Sequence, residues 1–184
     1  YGIAKYDDPE ELSVSDRNNI GYQYTDCPLY WISVIYLNFA EAKAEMGSLT
    51  QDDLNNSINK LQARAGLPAM TTTPDADPAN NMGVSNLIWE IRRCRRCELI
   101  MDNWYRYWDL IRWHQLDKLD STKYPNTMLG ANVSNVPDCE EATKNGYIDA
   151  SDAQIRTYEA KHYFYPIPTT QLTLNKNMKQ NPGW

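Results

Sequence analysis

The segment from Tyr30 to Met46 most constrains the fold, because it contains neither glycine nor proline and repeats its apolar residues at helical spacing. On a helix of about 3.6 residues per turn, one side collects the apolar residues Trp31, Ile35, Phe39, Ala42 and Met46. The opposite side carries Leu37 among the small residues Ser33, Ala40 and Ala44. Since small residues let a second helix approach closely, the pattern predicts a helix sandwiched between neighbours.

A second helix is predicted directly after the first. Gly47 is placed to end the first helix, and Thr50 with Asp53 has the spacing of a capping box, so the next helix begins near Gln51 and ends at Gly66. Its apolar stripe consists of Leu54, Ile58, Leu61 and Ala65. A turn this short makes the two helices pack antiparallel. Together they have the length of one tetratricopeptide-type repeat, roughly 34 residues.

The rest of the chain alternates helices with long irregular segments. Residues 71–82 read as a loop, a third helix is predicted from Ser85 to Asp102, and a helical continuation covers Tyr105 to Trp113. Residues 114–164 form a loop-rich insertion, with no sustained period across 117–150, and the proline-containing tail is extended. The predicted fold is mainly α, with tetratricopeptide-like helix pairs and long irregular loops in one unit spanning residues 1–184.

The charge of the chain argues against a nucleic-acid partner, and its hydropathy argues against a membrane-spanning segment. The net charge of -6 and pI near 4.9 argue against nucleic acid, because a phosphate-binding surface needs an excess of Lys and Arg. No window approaches the roughly twenty apolar residues that cross a bilayer. The chain contains six Trp and thirteen Tyr but only two Phe. Its aromatic residues are therefore mostly of the kind that combines an apolar ring face with a hydrogen-bonding edge.

The pair Cys94 and Cys97 has the spacing of half a zinc site or of a redox motif. A zinc site needs four ligands, and only His114, His162 and two remote cysteines remain. A redox pair belongs at an exposed helix N-terminus, whereas this pair is predicted in mid-helix. We therefore interpret both as inert core cysteines, and the sequence predicts neither a metal site nor a cofactor.

Three acidic residues, Glu98, Asp102 and Asp109, admit two interpretations. A glycosidase needs two carboxylates facing one cleft, whereas a helical scaffold uses buried carboxylates paired with arginines to fix its helices. Arginines outnumber acids in this run, which favours pairing over proton donation. The predicted ion-pair network comprises Arg64, Arg95, Glu98, Asp109 and Arg112. No residue is predicted to be catalytic.

Four motifs resemble one family in content and order. Residues 31–42, WISVIYLNFAEA, resemble the YLxYAEA helix of SusD/RagB-like proteins, and residues 58–67, INKLQARAGL, resemble its INxVRxRAGL. Residues 95–99, RRCEL, followed by residues 106–113, RYWDLIRW, are similar to its ERRxEL and RxxDLxRW. The YPIP at 165–168 and the QNPGW at 180–184 match its ending.

The resemblance implies a helical, non-enzymatic protein of the outer-membrane surface that captures nutrients, typically glycans. It further implies an N-terminal lipid anchor, lid-like association with a SusC-like, TonB-dependent transporter, and an N-terminal half that completes the protein. By the same resemblance, this chain is the C-terminal part of such a lipoprotein.

Ligand-binding residues cannot be transferred by motif, because the family places them in variable loops. Aromatic residues on irregular segments are the candidates from the sequence itself, since their rings stack on sugars while nearby Asn126, Asn132 and Asp149 bond hydroxyls. These candidates are Tyr22, Tyr24, Tyr124 and Tyr147. The alternative for each ring is that it only packs a loop against the core. Alternative functions are a tetratricopeptide-like peptide scaffold and, least favoured, a glycoside hydrolase.

Overall fold

The structure, a computed structural model, describes residues 13–17, 19, 29–102, 105–136, 143–151 and 154–184. It divides into two compact units, residues 1–100 and 101–184, which we describe separately. Helices predominate over short strands, which confirms the predicted mainly α fold. Among the described residues, no helix is long and apolar enough to span a membrane.

The first unit is entirely helical in its described part. Its helices are α1 (Val14–Arg17), α2 (Ile32–Glu45), α3 (Gln51–Asn55), α4 (Ile58–Arg64) and α5 (Asn86–Glu98). Helix α2 lies against both α4 and α5, so these three helices enclose the core. That core consists of Leu37, Ala40, Leu54, Ile58, Leu61, Met70, Ile91, Cys94 and Leu99.

Within the described part of the chain, helices α4 and α5 cover one side of α2. The side with small residues is buried, including Ser33, Leu37 and Ala40, as the spacing predicts for a closely approaching helix. The apolar side is exposed, with Ile35 60% and Met46 77% accessible. Among the described residues, helices therefore pack on one side of α2 only, and a neighbour on its second side stays a prediction.

The turn between α2 and α3 has the predicted capping chemistry. Gly47 adopts φ 67°, and the Ser48 amide donates to the Lys43 carbonyl at 2.9 Å, which closes the C-terminus of α2. The Thr50 hydroxyl accepts from the Asp53 amide at 3.1 Å, while the Asp53 carboxylate accepts from the Thr50 amide at 2.9 Å. Both caps are confirmed, and they fix where α3 begins.

The predicted second helix is broken into α3 and α4 at Asn56 and Ser57. The Ser57 hydroxyl donates to the Asp53 carbonyl at 2.6 Å, and the Asn56 side chain donates to the Asp52 carbonyl at 2.9 Å. These side chains donate to backbone carbonyls at the end of α3. Ser and Asn compete in this way with the backbone amides that would otherwise continue the helix. The prediction of one continuous helix was wrong at this point.

Helix α5 begins as predicted and ends early. The Ser85 hydroxyl accepts from the Ile88 amide at 3.3 Å and caps the first turn. The helix ends at Glu98, and Met101 has φ 64° and is 63% exposed. The predicted extension to Asp102 is therefore wrong, and Met101 does not share the buried face of α5.

The second unit combines short helices with a small sheet. It contains α6 (Tyr105–Arg112), α7 (Thr169–Leu174), and 3-10 helices at Leu116–Leu119, Pro125–Met128 and Ala160–Tyr163. Its strands are β1 (Leu129–Asn132), β2 (Thr143–Lys144) and β3 (Tyr147–Asp149), which form an antiparallel sheet of order β1-β3-β2. Among the described residues of this unit, the buried apolar ones are Leu110, Trp113 and Leu116.

Two polar residues hold the loops of the second unit. His114 ends α6 in a left-handed conformation, φ 53°, and the Gln115 amide donates to the Leu110 carbonyl at 2.8 Å. His114 therefore closes the C-terminus of α6. Buried Asp120 accepts from the Thr122 amide at 2.9 Å and from the Tyr158 amide at 3.1 Å, so it joins two loops distant in sequence.

Candidate functional site

The exposed face of the three-stranded sheet brings together one predicted ligand-binding residue and its polar neighbours. Tyr147 lies on the central strand β3, directly opposite Asn132 of β1 and Lys144 of β2. Directly opposite residues of antiparallel strands point to the same side of a sheet, so these side chains form one row. All are exposed, and Tyr147 is 39% accessible. The sheet face therefore consists of an aromatic ring flanked by an amide and an ammonium group.

A tight hairpin positions Tyr147. Asn145 and Gly146 connect β2 to β3 with φ 55° and 78°, the doubly left-handed backbone of a two-residue hairpin turn. The φ of 78° favours glycine at position 146, and a Cβ there would also lie 2.1 Å from the Ser134 hydroxyl oxygen, which would have to rotate away. The Asn-Gly pair is the strongest local hairpin signal in a sequence, and it was missed when 117–150 was interpreted as irregular.

Tyr124 has a different environment from Tyr147. Its hydroxyl accepts a hydrogen bond from the Lys118 ammonium at 2.7 Å, and that ammonium lies 4.5 Å from its ring centroid. One charged group therefore already engages both the ring and the hydroxyl of Tyr124. Tyr22 and Tyr24 lie outside the described residues. The ligand-binding role of all four tyrosines stays a prediction.

The arginines and acids of the predicted network lie in pairs within each unit. Arg64 donates to Glu98 at 2.5 Å in the first unit, and Arg112 donates to Asp109 at 3.1 Å in the second. Arg95 donates to the Asn38 side chain at 2.8 Å, which ties α5 to α2. The carboxylates of Glu98 and Asp109 are thus both bonded to guanidinium groups.

The sequence interpretation missed a deeply buried ion pair in the first unit. Arg92 donates from Nε to Glu41 at 3.2 Å and from Nη2 to Glu45 at 3.2 Å. The side chains of Arg92 and Glu41 are only 10% and 4% exposed. Glu41 lies next to Ala40 on the covered side of α2, so its burial could have been inferred from the helical wheel once that side was assigned to the core.

The two cysteines of α5 differ in environment. Cys94 is buried, and desolvation raises the pKa of its thiol to about 12, as expected of an inert core cysteine. Cys97 is exposed, so its predicted place in the core is wrong. Cys27 and Cys139 lie outside the described residues. Among the described residues, no three His, Cys, Asp or Glu side chains are grouped to hold a metal ion.

A second group of exposed aromatic residues lies in the family motifs of the second unit. Trp108 and Tyr165 are 54% and 67% exposed, and the Tyr107 and Tyr165 hydroxyls lie 3.3 Å apart. The rings of Tyr107 and Trp108 meet edge to face at 5.5 Å. The sequence interpretation did not single out this surface. Asp109 and Leu110 are the buried residues of α6, and the helical repeat turns the preceding Trp108 away from that buried side. This spacing is the signal in the sequence that predicts the exposure of Trp108.

Two kinds of comparison relate this chain to known proteins. In the first, the chain matches the SusD family over residues 1–184. In the second, it resembles the solved structure of BT4246, with a TM-score of 0.60, 24% identity, and coverage of 85% of this chain and 23% of that one. It also resembles a SusD-like protein, BF3747, from Bacteroides fragilis NCTC 9343, with a TM-score of 0.56, 24% identity, and coverage of 83% and 25%.

These likenesses differ in what they establish. No curated protein matches the chain. At 24% identity the solved structures establish the fold alone, and the chain spans about a quarter of their length. The family match covers every residue, including the four motifs that the sequence shares with SusD/RagB-like proteins. The chain therefore belongs to the SusD family.

Proposed function

We propose that this chain is part of a non-enzymatic, surface-exposed lipoprotein of the outer membrane that captures a glycan and delivers it to a SusC-like, TonB-dependent transporter. Its membership of the SusD family over residues 1–184 is the observation that carries this proposal.

The sheet face around Tyr147 supports binding of a carbohydrate. A tyrosine ring offers an apolar surface to the C–H groups of a sugar, and Asn132 and Lys144 beside it supply hydrogen bonds to hydroxyls. A two-residue turn fixes the strand that carries the ring, so little ordering is needed on binding. No cofactor enters this function, because capture requires only contacts.

The exposed side of α2 supports a second partner, the N-terminal half of a longer protein. Ile32, Ile35, Phe39 and Met46 are between 41% and 77% exposed along one side of the helix. Apolar area of this kind marks a contact surface. Since the solved structures contain about four times the chain present here, we assign this surface to helices contributed by the remainder of such a protein.

The same side of α2 is the observation that favours a second candidate function, a scaffold that grips a peptide. Amphipathic peptide helices dock on apolar grooves through residues at similar spacing. This function predicts that a peptide, and no glycan, is bound.

Affinity electrophoresis tests the glycan-binding proposal. The protein is run through native gels cast with starch, xylan or galactomannan, beside Tyr147→Ala and the control Tyr30→Ala, whose ring is 90% exposed on the first unit. We expect retardation by one polysaccharide, weakened about tenfold by Tyr147→Ala and unchanged by Tyr30→Ala. Retardation that is identical in all three proteins would exclude the sheet face, and no retardation in any gel would contradict glycan capture.

A further inference from the structure

The first unit contains a groove between α5 and the loop that follows α4. Its volume is about 530 Å³, within the range of roughly 300–1,000 Å³ that small-molecule sites occupy. The loop contributes Leu67, Pro68 and Pro74 as apolar surface, and α5 contributes Glu90 and Arg93. Thr71, Thr73 and Asp75 add hydroxyl and carboxylate groups to the same lining.

The loop wall of the groove is held in place. Asn59 accepts from the Met70 amide at 2.7 Å and donates to the Met70 carbonyl at 3.1 Å, and Gln51 donates to that carbonyl at 3.0 Å. Pro68 and Pro74 restrict the backbone on either side of Met70. A wall fixed in this way does not need to be ordered when a ligand binds.

The opposite wall presents charges that are already neutralised. Arg93 donates from Nε to Glu90 at 2.8 Å, and a second hydrogen bond joins the same two side chains. Neither group therefore offers an unbalanced charge. With Asp75 as the remaining charged group of the lining, the groove disfavours anions and suits a ligand that donates hydrogen bonds.

Gln62 supplies the observation that points to a ligand. Its side chain lines the groove, and the residue is only 8% exposed. Among the residues that the structure describes, none donates to or accepts from its amide group. The atoms of this amide are not sealed from the surface, so they open onto the groove. An amide that opens onto a groove takes its hydrogen bonds from whatever occupies the groove, water or a ligand.

We propose that this groove is a binding site for a neutral saccharide unit, recognised by the Gln62 amide together with the Thr71 and Thr73 hydroxyls and the Asp75 carboxylate. The amide both donates and accepts, hydroxyls do the same, and the prolines and Leu67 face the apolar side of the sugar ring. This site rests on the proposed function in its choice of ligand and is separate from the row around Tyr147.

Titration of the ¹⁵N-labelled chain with maltose, cellobiose, xylobiose and mannobiose tests the site by NMR. We expect one disaccharide to shift the Gln62 side-chain amide and the backbone amides of residues 67–75. Gln62→Leu removes the amide but keeps a side chain of similar size, so we expect an unchanged melting temperature. Because the hydrogen bonds of the amide to the sugar are lost, we expect binding to weaken about tenfold. Gln154→Leu, an exposed amide of the second unit, is the control and leaves binding unchanged.

The possible outcomes separate this site from the proposed function. Shifts confined to Tyr147 and its strand, unaffected by Gln62→Leu, would overturn the groove and leave glycan capture standing. The absence of any shift at residues 62–75 with all four disaccharides would also overturn the groove, while the affinity gels decide glycan capture independently. Shifts in the groove that Gln62→Leu does not weaken would remove the amide from the site and refute the proposal as stated.

Discussion

The buried pair of Arg92 and Glu41 gives the sharpest prediction about stability. Arg92→Met keeps an unbranched stem between α5 and α2 but removes the guanidinium from a carboxylate that is only 4% exposed. Removing one partner of a buried ion pair destabilises a protein by about 3–5 kcal/mol. For a chain of this size that corresponds to a fall in Tm of roughly 6–20 °C.

The neighbouring Arg93 provides the matched control. Its pair with Glu90 lies on the same helix, but the side chains are 47% and 18% exposed, so Arg93→Met should cost less than about 1 kcal/mol. The assay is urea denaturation followed by circular dichroism, with a thermal melt beside it. The double variant Glu41→Leu with Arg92→Met replaces both charges with apolar groups and should regain most of the loss. A double variant as unstable as Arg92→Met would refute the reasoning, because loss of the guanidinium beside the buried carboxylate could not then be the cause.

Three further predictions follow from the same structure. Ile91→Ala removes a fully buried side chain and should cost about 2–5 kcal/mol in urea denaturation, whereas Ile100→Ala, 61% exposed, should cost little. Hydrogen bonds from the Thr122 side chain and the Tyr158 amide lower the pKa of Asp120 to about 2, below the roughly 3.9 of an unfolded aspartate. The ionised Asp120 therefore contributes to the free energy of unfolding above about pH 4, and this contribution is lost as the pH falls towards about 2. Asp120→Asn should make the free energy of unfolding depend less on pH in this window. Iodoacetamide followed by peptide mapping should label Cys97 well before Cys94, and equal rates would contradict the assigned burial.

Local chemistry in the sequence predicted those parts of the fold that depend on few residues. The capping box of Thr50 and Asp53 and the helix end at Gly47 need only neighbours in the chain, so spacing was enough. The break at Ser57 was missed because a side chain bonding to a carbonyl of its own helix leaves no mark in the apolar period. The hairpin at Asn145 and Gly146 did carry a signal, which the surrounding irregular sequence obscured.

The covered side of α2 could not be chosen from periodicity alone. Both sides of that helix are suitable for packing, and the side with larger apolar residues is the one left exposed. The choice depends on which helices are present, and this chain supplies α4 and α5 for the small-residue side. The groove beside Gln62 is likewise invisible in the sequence, because it depends on a loop pinned by Asn59 at Met70.

The most direct test of the account is a binding screen in which one protein containing this chain is offered a glycan array and a peptide library. Glycan capture predicts selective binding to one class of neutral oligosaccharide and no peptide binding. Binding to peptides with no glycan bound, abolished by Ile35→Asp on the exposed side of α2, would contradict the account and establish a peptide scaffold in its place.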